Sequence, residues 1–172
     1  HFGVRGTIED GTTAMDYLDL ERDRKHSVDP ALAYVEHAGK TINIIDAPGY
    51  PDFIGGAISA LGGVDIAVIV VSAAAGIEVN TRRLFNVAGD LGLARLIVVN
   101  KIDAENLDLP GLVDGLTETF GPAVKCMNLP SGGSKAVTDC FANDSGEADF
   151  GDVADAHTQL TESIIEADEE LM

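Results

Sequence analysis

Apolar residues recur along this chain in short blocks, and the rhythm of each block separates strands from helices. Val64 to Ser72 contains a continuous apolar run, Ile66 to Val71, as expected of a strand covered on both faces. Ala94 to Val99 and Thr41 to Ile45 read the same way. Ala31 to Glu36 predicts a partner for the latter, joined to it antiparallel through a hairpin turn at His37-Ala-Gly39-Lys40. Helical spacing lies between these blocks. Phe53, Ala57, Ile58 and Leu61 form one stripe, with Asp52 as N-cap and Gly62-Gly63 as the stop. Val79, Leu84, Val87, Ala88 and Leu91 form the next, on a helix from Thr81 to Leu91. Pro110 to Phe120 starts with proline in its first turn. Pro122 to Leu129 reads as a strand, Ser131-Gly-Gly-Ser134 as a flexible link and Lys135 to Phe141 as another strand. Leu160, Ile164, Ala167 and Leu171 mark a helix from Val153 to Met172. Residues 1–13 read as loop, 13–21 as a short helix or irregular turn, and Arg22-Asp23-Arg24-Lys25 as a solvated charge run.

Strands alternating with helices predict an α/β protein with a doubly wound, mostly parallel sheet. In such sheets ligands sit at the carboxyl ends of strands. Two polar tetrapeptides follow strands here: Asp46-Ala-Pro-Gly49 and Asn100-Lys101-Ile102-Asp103. The first offers a carboxylate to a hydrated metal and a glycine N–H to a phosphate. Pro48 fixes φ there, and Gly49 lets the backbone approach a ligand. The second offers an amide, a cationic stem and a carboxylate to the edge of a base.

Composition narrows the partners. A 172-residue chain with 45% hydrophobic residues can bury a real core. A formal charge of −18 opposes autonomous binding to nucleic acid, DNA included, and suits solubility or a saline habitat. Cys126 and Cys140 lack metal-site spacing and read as reduced thiols in a cytoplasmic protein. No apolar run approaches the ~20 residues of a membrane span, so no membrane partner is expected. His157 reads as an exposed helical residue.

The motif pair resembles the signature of translational GTPases. Asp10-Gly-Thr-Thr13, Met15-Asp16-Tyr17 and Glu21-Arg22-Asp23-Arg24 resemble the segment leading into the first switch of elongation factor G. Glu162-Ser163 and Glu169-Glu170-Leu171-Met172 resemble the end of a helix in that factor's GTPase-domain insert. Ser27 and Tyr50 stand where the main factor has Thr and His, and there the chain looks more like the elongation factor G-like paralogues. The resemblance implies a P-loop NTPase-type sheet, with 1–129 a partial GTPase domain and 130–172 part of the insert. It implies GTP or GDP as ligand, with Mg2+, and the ribosome as partner, in translocation or in ribosome release and recycling. Asp46 would hold the metal through water and Ser27 would complete its shell. Gly49 would donate its N–H to the γ-phosphate. Asn100 and Asp103 would read guanine, with the Lys101 stem over the base. Tyr50 would stand in the water-orienting position.

No Gly-x-x-x-x-Gly-Lys-Ser/Thr loop occurs in the chain, and it begins at His1-Phe2-Gly3. It is therefore expected to be an internal fragment of a longer GTPase, inactive and poorly stable alone. Three rivals remain: a ribosome-protection protein, a GTP-binding paralogue with little or no hydrolysis, and a nucleotide-free relic. The intact Asn-Lys-x-Asp opposes the relic, since no packing demand calls for that combination.

Overall fold

A computed structural model describes residues 6–167. The elements in order are α1 (Asp19–Arg24), β1 (Ala31–His37), β2 (Lys40–Asp46), α2 (Ile54–Leu61), β3 (Ile66–Ser72), α3 (Val79–Asp90), β4 (Ala94–Asn100), α4 (Leu109–Phe120), β5 (Asn128–Ser131), β6 (Ala136–Asp139) and α5 (Val153–Ala167). The chain divides into two compact units. Among the described residues, one comprises those up to Ile69 together with Val79–Leu96, the other Val70–Glu78 together with those from Ile97 onward.

β1 and β2 form an antiparallel hairpin in register from Ala31 opposite Asp46 to His37 opposite Lys40. Ala38 and Gly39 both have positive φ, 49° and 75°, the geometry that lets a two-residue turn follow the strand twist. β3 pairs with β4 in a small parallel sheet, with α3 as the crossover. The fold is therefore of the α/β type expected from strands alternating with helices. Among the described residues β2 and β3 are not paired with each other.

Several expectations need correction. β3 is not covered on both faces: Ala67, Ile69 and Val71 are buried, whereas Ile66, Val68 and Val70 are more than half exposed. An unbroken apolar run reports what a strand could bury, not what this chain supplies to cover it. Asp52 does not cap α2. A 3-10 turn over Pro51–Phe53 precedes that helix, and no side chain caps it. On α3 the buried positions are Thr81, Phe85 and Ala88, while Val79 and Leu91 are exposed. The Arg95 guanidinium lies 4.2 Å from the centre of the Phe85 ring, so an aromatic beneath a cation replaces the expected leucine and valine stripe.

In the second unit, α4 is capped as a loop–helix junction should be. Asp108 Oδ1 accepts from the Gly111 N–H at 2.9 Å, and a Cβ at Gly111 would collide with that carboxylate. In place of the strand expected over 122–129 the structure has Asn128–Ser131; residues 122–123 form a turn and 124–127 are not in a strand. β5 and β6 form a hairpin whose turn runs through Gly132, Gly133 and Ser134, all with positive φ. Asp149 closes it by accepting from the Gly133 and Ser134 N–H groups at 3.0 and 2.6 Å. Leu129, Cys140, Val153 and Leu160 make the small core between this hairpin and α5. The last expected helical positions, 168–172, lie outside the described residues.

Candidate functional site

Asp46 is the final residue of β2, so the strand itself delivers the Asp-x-x-Gly motif. Pro48 is fully buried and pins the turn. Gly49 is exposed, its φ is not positive, and a Cβ there would meet nothing within 4 Å. Neither packing nor backbone conformation requires glycine at 49. The Asp46 carboxyl is pushed above the usual aspartate range, first by desolvation and then by the Asp16 and Glu21 carboxylates. A cation is what would favour its charged form.

Asp16 and Ser27 belong to the same neighbourhood. Ser27 Oγ donates to Asp16 Oδ1 at 2.8 Å, and Thr13 donates to the other oxygen of that buried carboxylate. The bond uses the Ser27 proton and leaves lone pairs on its oxygen. Neither Asp16 nor Glu21 is marked by local spacing, because each acts through partners up to eleven and eight residues away.

Glu21 is completely buried, and its carboxylate ties the segment together. It accepts from the Leu18 N–H at 2.9 Å, back at the start of α1. It also accepts from Val28 and Asp29 at 2.9 and 3.1 Å, beyond Ser27. Burial opposes its charge, but the N–H donors of Val28, Leu18, Asp29 and Tyr17 outweigh burial and hold its pKa below the usual glutamate value. A depressed acid stabilises the fold above its unfolded pKa, and that contribution is lost as pH falls through the lowered value. Glu21→Gln replaces one acceptor oxygen by an NH2 that faces an N–H. We expect a loss on the order of 1–3 kcal/mol in the ordering of 18–29, seen as faster amide exchange at Val28 and Asp29 near neutral pH. Unchanged protection of both amides would refute the assignment. The difference from wild type should shrink only below the ordinary glutamate range.

The second motif stands in the other unit. Asn100 ends β4. Its carbonyl accepts from the Ala73 N–H at 2.9 Å, and its side-chain oxygen accepts from the Lys101 N–H at 2.9 Å. The side-chain NH2 therefore remains as a donor. Lys101 adopts φ 60°, in the left-handed region, which a non-glycine residue occupies at a cost of roughly 1–2 kcal/mol. Such outliers concentrate at functional turns. Lys101 and Asp103 are exposed. Elsewhere in this unit, both cysteines are free, and burial raises both thiol pKa values. His157 is half-buried rather than exposed, with Nδ1 2.9 Å from the Cys140 carbonyl.

Two polar motifs, each opening on the last residue of a strand, fit the translational GTPase class. The chain belongs to the Elongation factor Tu GTP binding domain family, which it matches over residues 3–168. It is 36% identical over 133 residues to peptide chain release factor 3 of Streptococcus thermophilus, covering 77% of this chain and 26% of that protein. Peptide chain release factor 3 of Streptococcus uberis is 38% identical over the same length, with the same coverage. A protein of Thermus thermophilus known from its crystal structure superposes with a TM-score of 0.84 at 34% identity, over 98% of this chain and 28% of its own. The chain thus spans about a quarter of the length of these relatives.

Proposed function

We propose that this chain is the GTP-binding part of a ribosome-associated GTPase. In this reading Asn100 and Asp103 read guanine, the Lys101 stem covers the base, and Gly49 donates its N–H to the γ-phosphate. What supports it is that Asn100 ends β4 of the parallel pair, where an α/β sheet presents ligands, and that Asp46 likewise ends β2, a strand of the hairpin. Asp46 and Ser27 would hold Mg2+. Their oxygens are hard donors, and Mg2+ commonly takes one or two protein groups, with phosphates and waters filling the rest. The ion would neutralise charge developing on the transferred phosphoryl group. This chain's own part is to position nucleotide and water.

The elongation factor G-like motifs favour translocation or ribosome release as the step served, and the release factor 3 relatives favour chain release. Both readings place the protein on the ribosome in the cytoplasm. Among the described residues no helix is long and apolar enough to cross a membrane. The test is displacement of a fluorescent guanine nucleotide from the full-length protein. GTP and GDP should compete, ATP should not, and EDTA should weaken GTP binding. Equal competition by ATP would sink the proposal.

A further inference from the structure

Two aromatic rings from separate segments meet beside the phosphate-facing glycine. The His26 and Tyr50 rings have centroids 4.5 Å apart and an interplanar angle of 22°, a stacked pair. Phe53 extends the cluster, 6.1 Å from His26. The histidine does not arrive there by chance rotation. α1 ends at Lys25 in the left-handed conformation, φ 60°, and the His26 N–H closes the turn onto the Glu21 carbonyl at 3.2 Å. His26 Nδ1 lies 2.9 Å from the Arg24 carbonyl. A carbonyl only accepts, so Nδ1 carries the proton, and the bond fixes the plane of the ring. On the other side, Tyr50 follows Gly49 directly, and its carbonyl accepts the Phe53 N–H at 3.0 Å. The His26 ring is thus oriented by its own backbone, while on the other side the backbone turn at Tyr50 is closed and the phenol itself is met by the imidazole.

Neither ring is there to fill a core. Tyr50 is 54% exposed and His26 is half-buried. A stacked pair at the surface contributes little to folding, but it fixes where the phenol points. It also joins two segments that the proposed ligand would touch. Ser27 follows His26, and Gly49 precedes Tyr50. We infer that His26 is a positioning residue for GTP hydrolysis: its ring holds the Tyr50 side chain beside Gly49, and so couples the segment carrying Ser27 to the segment facing the γ-phosphate. This rests on the reading that the chain binds and turns over GTP.

The mechanism requires a flat ring at 26, and no particular charge. His26→Phe should keep the stack, and His26→Ala should lose it. In the full-length protein, His26→Ala should slow single-turnover GTP hydrolysis on ribosomes by roughly three- to tenfold, the scale of one aromatic pair. GTP affinity should stay within about twofold, since the pair acts on the phenol rather than on the nucleotide. His26→Phe should restore most of the rate. In a Tyr50→Ala background, His26→Ala should add nothing, because the group it positions is gone. Additive losses, or His26→Phe as slow as His26→Ala, would overturn the inference while GTP turnover by wild type stands. A wild-type protein that binds or hydrolyses no GTP would overturn the proposed function, and the inference with it.

Discussion

Replacing Asp103 with asparagine is expected to turn a GTP-preferring protein into one that prefers xanthosine nucleotides. A carboxylate in this position accepts from two guanine donors, the N1–H and the exocyclic amine. Asparagine presents an NH2 to one of them, so a donor faces a donor. Xanthine carries a carbonyl where guanine has the amine, and that carbonyl can accept. Loss of such a pair costs on the order of 1–3 kcal/mol, about fivefold to more than a hundredfold in affinity. Asp103 is exposed and makes no hydrogen bond among the described residues, so folding provides an internal control. The thermal midpoint of the full-length protein should hardly move. Competition between GTP and xanthosine triphosphate decides the matter. Unchanged preference for GTP would remove Asp103 from base reading.

The Asn-Lys-x-Asp motif was visible in the sequence because its parts are contiguous. A strand, a tight turn and a carboxylate fall within ten residues, 94–103, and the strand's apolar run marks where the motif must emerge. The same holds for β2 and Asp46, where hairpin chemistry at Ala38-Gly39 fixed the register. The segment before β1 was not readable this way. Its order comes from Glu21, an acid in a stretch of charges, buried by donors up to eight residues away. Periodicity registers apolar burial and has no signal for a carboxylate wrapped in backbone N–H groups. The Ser27–Asp16 bond spans eleven residues, and the His26–Tyr50 stack joins segments separated by the whole β1–β2 hairpin. Local spacing cannot foresee such contacts. The misplaced stripe on α3 has a different cause. Helical spacing allows several adjacent faces, and the choice here is made by Arg95, which lies beyond the helix and covers Phe85.

Tyr50→His is expected to accelerate ribosome-stimulated GTP hydrolysis, and Tyr50→Phe to slow it. A phenol can orient a water through one hydrogen bond, but brings no imidazolium toward the γ-phosphate. Its oxygen also extends further from the backbone than an imidazole nitrogen does. The stack on His26 makes the two substitutions separable in their causes. Phenylalanine keeps a six-membered ring over His26 at the 4.5 Å spacing and removes only the hydroxyl. Any loss with Phe therefore reports the oxygen, not the packing. Histidine keeps a flat ring and adds a group able to hold water and exchange a proton, which in enzymes contributes about 10²–10⁴-fold when well placed. The stack constrains that placement, so a gain on the order of tenfold is the expected result. GTP affinity should be the same for all three proteins, because Gly49 and the Asn100 motif are untouched. The measurement is single-turnover hydrolysis on ribosomes, with nucleotide affinity determined in parallel. A wild type already limited by a step after hydrolysis would be recognised by a burst, and the burst rate is then the quantity to compare. Identical rates for Tyr, His and Phe would mean that no side-chain oxygen or nitrogen at 50 meets the water, and the positioning role would fall.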